Sequence, residues 1–301
     1  MQRQRTIRKE IRTSGIGIHS GQVSEVIFKP APTNTGIVFI KKTTDNSIII
    51  PSAINNVIDT ENQVTLSAEE RRIQTIEHLL SALSGLRISN CIIEVFSREI
   101  PVMDGSAFPF VEAIIEAGIV EQNEPCEIIR IPHPIWVTEE DKYLVVLPSD
   151  RLELNFHISY KHSALQNQSI YIENLTPDVY EKEISRARTF GFFEDWESLK
   201  RKGLARGASL DNTVVFNENG VMNDNLRYED EPVRHKILDL LGDFSLLGNR
   251  IQGRILASKT GHKMDIALVK KIKKLLTENR FTKKDIKENY KKFEKEVRKL
   301  L

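Results

Sequence analysis

Cysteine is scarce in this chain: Cys91 and Cys126 are the only two in 301 residues. That excludes a disulfide scaffold and a cysteine-based zinc site. Each lies beside a strand-like segment, and both are read as buried apolar fillers. Long apolar runs are missing too, so no segment is expected to span a bilayer. The opening Met1–Thr6 lacks the apolar stretch of a secretory leader, and a cytoplasmic protein is expected. There is no short-period repeat and no low-complexity segment. An excess of one charge is also absent, the formal net charge being +1. That balance hides an asymmetry. From Lys270 to Leu301 thirteen Lys/Arg face five Asp/Glu, a net of +8, and the preceding residues carry −7. An acidic body excludes nucleic acid as the main partner, because phosphate binding needs a basic face.

What remains is a chain long enough for two ordinary domains. Short strand candidates open it at Thr6–Ile11, Val23–Phe28, Ile37–Lys41 and Ser47–Ile50, with a glycine-rich turn at Gly15–Gly21. A helix at about Thr75–Leu86, a strand at Asn90–Phe96, a turn at Pro101–Ser106 and a helix near Phe110–Ala117 follow. The second half repeats the order. Strands are expected at Glu127–Ile131, Ile135–Thr138, Tyr143–Pro148 and Glu153–Ser159. After the interrupted stretch Arg188–Phe216 come a helix at Val233–Leu247, a strand at Ile251–Ala257 and a helix beginning near Asp265. Strands then helices, twice, predict two α+β domains of similar topology, residues 1–124 and 125–270, with a boundary near Asn123–Cys126. Residues 271–301 form a basic tail. Within it Ile286, Tyr290, Phe293, Val297 and Leu300 recur at spacings of four and three, an amphipathic helix with a possible capping box from Thr282 and Asp285. Its face either rests on the body or touches an anionic membrane surface through 282–301.

The most constraining feature is the run Arg234–Gly248. At 100° per residue His235, Asp239 and Asp243 fall in one narrow stripe, with Lys236 at its edge, on a helix otherwise apolar nearly all round. Burying an imidazole and two carboxylates is costly unless they are paired or bind a metal. The stripe is therefore an ion-pair network or a metal site. Glu77 and His78 share the polar face of the helix at Thr75–Leu86, opposite Ile76, Leu79, Leu80, Ala82 and Leu83. If the halves pack together, that face could meet the His235 stripe, and domain interfaces favour sites. His78, His235 and Asp239 would then make a His2Asp set with a fourth position open, which suits Zn2+, with Fe2+ equally compatible by ligand type. Glu77 could take a proton from a water activated there. The bland reading of a Glu-His pair alone is an ordinary surface or core histidine. His262, after Gly261 in a loop between strand and helix, is by itself an ordinary loop residue. With Asp243 orienting it and raising its pKa, it could stabilise an oxyanion or protonate a leaving amine. Thr189 and Phe190, in Arg186–Phe193, could bring a hydroxyl and an aromatic platform, or simply end a strand. A strand-helix-strand insertion at about 192–216 could wall an apolar groove or pack its own small core. His19 sits in the glycine-rich turn, and His133, His157 and His162 show no metal-like spacing.

Together these segments resemble the UDP-3-O-acyl-N-acetylglucosamine deacetylases of lipid A biosynthesis. The resemblance rests on Thr75–Leu83, Pro101–Ser106, Arg188–Phe192, Leu204–Asn212, Arg234–Asp243, Ser258–His262 and Gly15–Gly21, in order and nearly to Lys270. It implies a two-domain α+β zinc hydrolase, each domain a helix layer on a sheet with a small insertion and the site between them. The reaction implied is removal of the N-acetyl group from UDP-3-O-(3-hydroxyacyl)-N-acetylglucosamine. The ligands map onto His78, His235 and Asp239, and the base onto Glu77. His262 maps onto the residue that protonates the amine, Asp243 onto its orienter and Thr189 onto the oxyanion support. Lys236, Phe190, Phe192, Lys259 and Gly261 map onto substrate-binding positions, and the insertion onto the acyl-chain passage. A monomer is expected. The chain departs from the family pattern at Glu61–Gln63, which is more polar, and at Pro232, where an aromatic is usual. A deacetylase of another acylated amine and a non-catalytic binding protein are the alternatives, and Glu77 discriminates, since a binding module has no use for an acid beside His78.

Overall fold

A computed structural model of the chain describes residues 2–43, 46–278 and 283–300, the last with side chains at 285–296. The first sheet contains β2 (Ile11–Ile16), β3 (Val23–Pro30), β4 (Ile37–Lys42), β5 (Ser47–Pro51) and β9 (Cys91–Val95), in the order β2-β3-β9-β4-β5. All neighbours are antiparallel except β4 and β9. The second sheet contains β12 (Ile135–Glu139), β13 (Lys142–Leu147), β14 (Leu152–Ile158), β15 (Gln168–Ile172) and β19 (Arg250–Ser258), in the order β12-β13-β19-β14-β15. Again one pair, β14 and β19, is parallel. A short β11 (Ile128–Arg130) adds to β19. Thus both halves lay down four strands, return through a helix and insert the fifth strand centrally.

The helices are equivalent in order. In the first half α1 (Glu77–Gly85) precedes β9 and α2 (Phe108–Ala117) follows it; in the second α5 (Glu231–Ser245) precedes β19 and α6 (His262–Thr277) follows. Each half places an insertion between its fourth strand and its first helix. The first is a three-stranded meander of β6 (Val57–Asp59), β7 (Thr65–Ala68) and β8 (Arg71–Gln74). The second holds α3 (Pro177–Val179), β16 (Phe190–Phe192), α4 (Trp196–Arg201), β17 (Val214–Asn217) and β18 (Gly220–Val221), with β16 and β17 parallel. The expected α+β class holds, and so does the strand-helix-strand order of the second insertion.

α1 packs along α5. A nine-residue helix is marginal in isolation, so α1 depends on this packing, and nearly all its side chains are buried. One apolar cluster runs from Phe28, Phe39 and Ile93 through Leu79 and Leu83 to Leu238, Leu241 and Ile255. Each fully buried aliphatic contributes roughly 1.5–3 kcal/mol. The helix crossing needs glycine. A Cβ at Gly242 would lie 2.2 Å from the Glu77 carbonyl oxygen, and one at Gly85 would lie 2.2 Å from the Tyr180 ring.

Several expectations change. Thr6–Ile11 is two strands, because Arg8 and Lys9 turn to donate to the carbonyls of Gly118 and Ala117. That frees β1 (Arg3–Ile7) to pair with β10 (Ile119–Pro125), so the polar stretch expected to be a boundary is largely a strand. Residues 206–207 donate to Ile18 and His19 carbonyls, so the strand expected from Ala208 begins only at Val214. α6 starts at His262, three residues earlier than expected. α5 starts two residues earlier, with Pro232 in its first turn, where a missing N–H costs nothing. β15 and the first insertion's strands were not anticipated. The tail forms α7 (Lys283–Leu300), whose Phe293 ring lies 5.3 Å from that of Trp136. Thr282 of the expected capping box lies outside the described residues, as do the side chains of Val297 and Leu300. Among the described residues no helix is long and apolar enough to cross a membrane.

Gly242→Ala is expected to lower the unfolding free energy by about 2 kcal/mol or more, since backbone blocks the new methyl. Gly191→Ala, into open space, is expected to stay within about 0.5 kcal/mol. Urea denaturation of both variants checks this; equal midpoints would mean the α1–α5 crossing is not as tight as described.

Candidate metal centre

The centre is assembled where the first turn of α1 meets α5. Thr75 enters α1 with φ at 58°, a left-handed conformation unusual for a β-branched residue. Its hydroxyl is held by Gln63 Oε1 at 2.8 Å and Glu99 Oε1 at 3.1 Å. The Val64 N–H donates to Glu77 Oε2 at 3.1 Å. The polar turn at Glu61–Gln63 thus leads into the residues that fix the entry to α1 and the Glu77 carboxylate.

On α5, His235 Nδ1 donates to the Ala187 carbonyl at 3.0 Å. A carbonyl can only accept, so Nδ1 carries the proton and Nε2 is left bare, the arrangement that prepares a histidine to ligate. The Ala187 carbonyl is itself fixed from α5. Fully buried Glu231 accepts from the backbone and guanidinium of Arg188 and from the Arg227 N–H, at 2.8–3.2 Å.

His78 and His235 meet edge to face, with ring centroids 4.9 Å apart. Asp239 Oδ1 lies 3.4 Å from His235 Nε2 and 3.7 Å from His78 Nε2. One ligand atom from each of the three side chains falls within 4.8 Å of the others, and all three residues are buried. For His78 and His235 to be ion-paired with Asp239, their imidazoles would have to be charged. Burial instead pushes His78 down to about 3, helped by His235, and burial also lowers His235 against the pull of Asp239. Both rings are neutral at physiological pH, which a metal ligand requires. A tetrahedral ion with bonds of about 2.1 Å separates its ligands by about 3.4 Å. The spacing and protonation states therefore fit a metal ion at His78, His235 and Asp239, while Asp239 and Asp243 are also ion-paired, with Lys236 and His262. His78 Nδ1 is buried without a hydrogen-bond partner.

The other Asp239 oxygen, Oδ2, accepts from Lys236 Nζ at 2.8 Å. Burial opposes ionisation of Asp239, but the charges of Lys236 and His262 more than offset it and hold the carboxyl below its usual range. Burial likewise works against charge on Lys236, yet Asp239 keeps it protonated.

Glu77 is 3 % exposed, and burial pushes its carboxyl up to about 7 against the charge of His262. His262, the first residue of α6, meets Asp243 through Nδ1 and Oδ2 at 2.8 Å. Burial would lower His262; Asp243 reverses that and raises it to about 10. A neutral-range carboxyl and a charged imidazole thus flank one cluster, the pairing of acid and base that proton transfer at neutral pH requires.

Thr189 lies two residues beyond Ala187, its N–H bonded to the Gly105 carbonyl at 2.8 Å. Phe190 stands with its ring 6.3 Å from His235. Phe192 joins Tyr160, His162 and Phe216 in an aromatic group beside it. A Cβ at Gly261 would meet Lys236 Nζ at 3.8 Å, so this glycine borders the cluster. Lys259 is turned elsewhere: its ammonium pairs with Asp141 at 2.6 Å. Three residues escaped the sequence reading. Glu231 acts through Arg188 on a carbonyl far along the chain, and only its place one turn before His235 hinted at it. Tyr160, 5.6 Å ring to ring from Phe190, gave no signal. Asp265, fully buried on α6, has its carboxyl raised to about 7 by burial and by Asp243.

Residues 4–274 match the UDP-3-O-acyl N-acetylglycosamine deacetylase family. A UDP-3-O-acyl-N-acetylglucosamine deacetylase of Leptospira biflexa serovar Patoc is 46 % identical over 279 residues, covering 92 % of each chain. Proteins of the same name from Coxiella burnetii and Hahella chejuensis are each 43 % identical, over 90 % of this chain and 90 % and 91 % of theirs.

The His262 shift has a measurable sign. Its folded value exceeds the ordinary 6.5, so its contribution to stability is complete below that pH and is lost as pH rises through about 10. In metal-free protein, NMR titration is expected to find the His262 ring still protonated at pH 8, and Asp243→Asn to bring its midpoint below 6.5. A wild-type midpoint near 6.5 would remove the imidazolium from the site.

Proposed function

The chain belongs to the UDP-3-O-acyl N-acetylglycosamine deacetylase family, and on that premise we propose that it hydrolyses the N-acetyl group of UDP-3-O-(3-hydroxyacyl)-N-acetylglucosamine to the free amine and acetate, a step of lipid A biosynthesis. The observation that carries this reading is the buried cluster of His78, His235 and Asp239 with Glu77 and the His262–Asp243 pair around it. In this reading residues 1–124 and 125–270 are two α+β domains and 271–301 a tail. The repeated sheet order supports that division, and the site draws on both halves.

His78, His235 and Asp239 would hold the ion, which we assign as Zn2+, the same donors also suiting Fe2+. When bound, such an ion supplies Lewis acidity toward water and toward the acetamide carbonyl. The protein's own groups do the rest. Glu77 takes the proton of the attacking water. Thr189 donates its hydroxyl to the oxygen on which negative charge develops, a contribution that grows toward the transition state. His262, kept charged by Asp243, gives a proton to the departing amine nitrogen. Tyr160, Phe190 and Phe192 offer aromatic surface to the sugar and acyl parts, backed by the buried Phe216, and the insertion at 192–216 holds the acyl chain. Lys236 and Gly261 border the bound substrate, and Lys259 reaches it on exchanging Asp141 for a phosphate.

Acetate release from the acylated nucleotide sugar is expected to stop with a chelator and return with zinc. No turnover by folded, metallated protein would move the substrate to another acylated amine or the protein to a binding role. Glu77→Ala is expected to keep its metal and lose turnover by about a hundredfold to ten-thousandfold, whereas His78→Ala loses the metal; near-normal turnover in Glu77→Ala would remove it as the base. The Trp136–Phe293 contact supports a tail laid on the body. Deleting 282–301 should therefore leave activity on detergent-dispersed substrate intact, and a large fall would instead make the tail part of the working enzyme, through membrane contact or otherwise.

A further inference from the structure

Glu99 lies between β9 and α2 and is 2 % exposed. A buried carboxylate is tolerated only where donors surround it. The N–H of His19 donates to its Oε1 and that of Ser20 to its Oε2, both at 2.8 Å, and the Thr75 hydroxyl reaches Oε1 at 3.1 Å. The glycine-rich turn admits the carboxylate because Gly17 has no side chain; a Cβ there would lie 2.2 Å from Oε2. The Glu99 backbone is itself fixed beside the entry of α1. The Gln74 N–H donates to the Arg98 carbonyl at 3.0 Å and the Ile100 N–H to the Gln74 carbonyl at 2.9 Å. The Ser97 hydroxyl donates to the Glu99 carbonyl at 2.8 Å.

The two N–H groups that Glu99 holds belong to consecutive peptide units, Ile18–His19 and His19–Ser20. Both units are trans, so in each the carbonyl points away from the N–H across a planar group. On that far side the Ile18 carbonyl accepts from the Gly207 N–H at 2.9 Å, and the His19 carbonyl from the Arg206 N–H at 3.2 Å. The Ala205 N–H donates to His19 Nδ1 at 3.4 Å. Residues 205–207 belong to the second insertion. The approach is backbone to backbone, since a Cβ at Gly207 would lie 2.4 Å from the Gly17 carbonyl oxygen. One carboxylate of the first half therefore orients two peptide planes whose opposite edges carry a segment of the second half. Its third donor leads to the metal centre. Thr75 precedes the first turn of α1, which bears Glu77 and His78, and its left-handed backbone persists only where its surroundings hold it.

We infer that Glu99 is a positioning residue for the deacetylation, setting the insertion at 192–216 against the entry of α1 so that the acyl chain and the Glu77 carboxylate keep a fixed spacing. The inference rests on the reading that this insertion holds the acyl chain. Glu99 acts through Thr75 on one side and through the two peptide units on the other. A shift of about 1 Å between the binding and reacting parts of a site costs about a hundredfold in rate.

Amide hydrogen exchange of the full-length protein reads the linkage without substrate. Glu99→Gln keeps the size of the side chain, but its amide nitrogen cannot accept from a backbone N–H. The amides of His19, Ser20, Arg206 and Gly207 are expected to lose protection together, by about tenfold or more, with β9 and β19 as in wild type. Glu99→Asp, which withdraws the carboxylate by one methylene, should show the same paired loss and stands in if Glu99→Gln does not fold. Wild-type protection at Arg206 and Gly207 in the variant would overturn the inference.

Steady-state kinetics with substrates of long and short 3-O-acyl chain read its effect on the reaction. In Glu99→Gln the long-over-short preference in kcat/KM is expected to fall about tenfold through KM, with kcat lowered for both. Thr75→Val, which cuts only the α1 arm, is expected to lower kcat at unchanged metal content and to leave the preference, and Thr75→Ser to restore kcat. A wild-type preference in Glu99→Gln, with kcat scaled alike for both substrates, would reduce Glu99 to a residue of the fold and overturn the inference. Wild-type protein that turns over neither substrate would overturn the deacetylase reading itself, an outcome that the substrate-free exchange experiment keeps apart from failure of the Glu99 linkage.

Discussion

Three imidazoles and three carboxylates are enclosed where α1 crosses α5, and the rest of the structure is arranged around making that tolerable. Each charged group taken from water carries a penalty of several kcal/mol that only close partners offset. Asp239 is answered by Lys236, Asp243 by His262, and Glu77 by a backbone N–H and a pKa near neutrality. His78 and His235 meet the constraint differently, by remaining uncharged. The crossing is close because Gly242 has no side chain between α5 and the Glu77 carbonyl.

The supports of the centre extend outward from both halves. The first insertion delivers Gln63 and Val64 to the start of α1. The second half brings Glu231, which grips Arg188 so that the Ala187 carbonyl stands over His235. Both sheets are built by the same sequence of strand, return helix and central strand, and both make room for an extra segment at the same point of that sequence. The two extra segments therefore approach the same helix pair, one fixing the Glu77 carboxylate and the other the orientation of the His235 imidazole.

Much of this was legible in the residues. The stripe of His235, Asp239 and Asp243 stood out because helical periodicity is local and the other faces of α5 are apolar. Glu77 and His78 were legible for the same reason, and several long motifs in order carried the family. What was hidden depends on contacts distant in sequence. No spacing rule links Glu231 to Ala187, or Tyr160 to Phe190. Strand pairing hid the rest: β1 and β10 lie more than a hundred residues apart, and a polar stretch such as Ile119–Pro125 looks like a linker until its partner is known. The start of α6 was missed because Gly261 and His262 read as loop, whereas the N–H groups of Met264 and Asp265 already bond to the Gly261 carbonyl.

The two oxygens of the Asp239 carboxylate face different neighbours. One lies toward the imidazoles of His78 and His235 and the other is bound to Lys236. A carboxylate pinned by an ammonium on one side cannot turn without breaking that bond. The Lys236 pair therefore acts as a latch on orientation: the sequence neighbour three residues before Asp239 decides which of its oxygens is presented to the two rings.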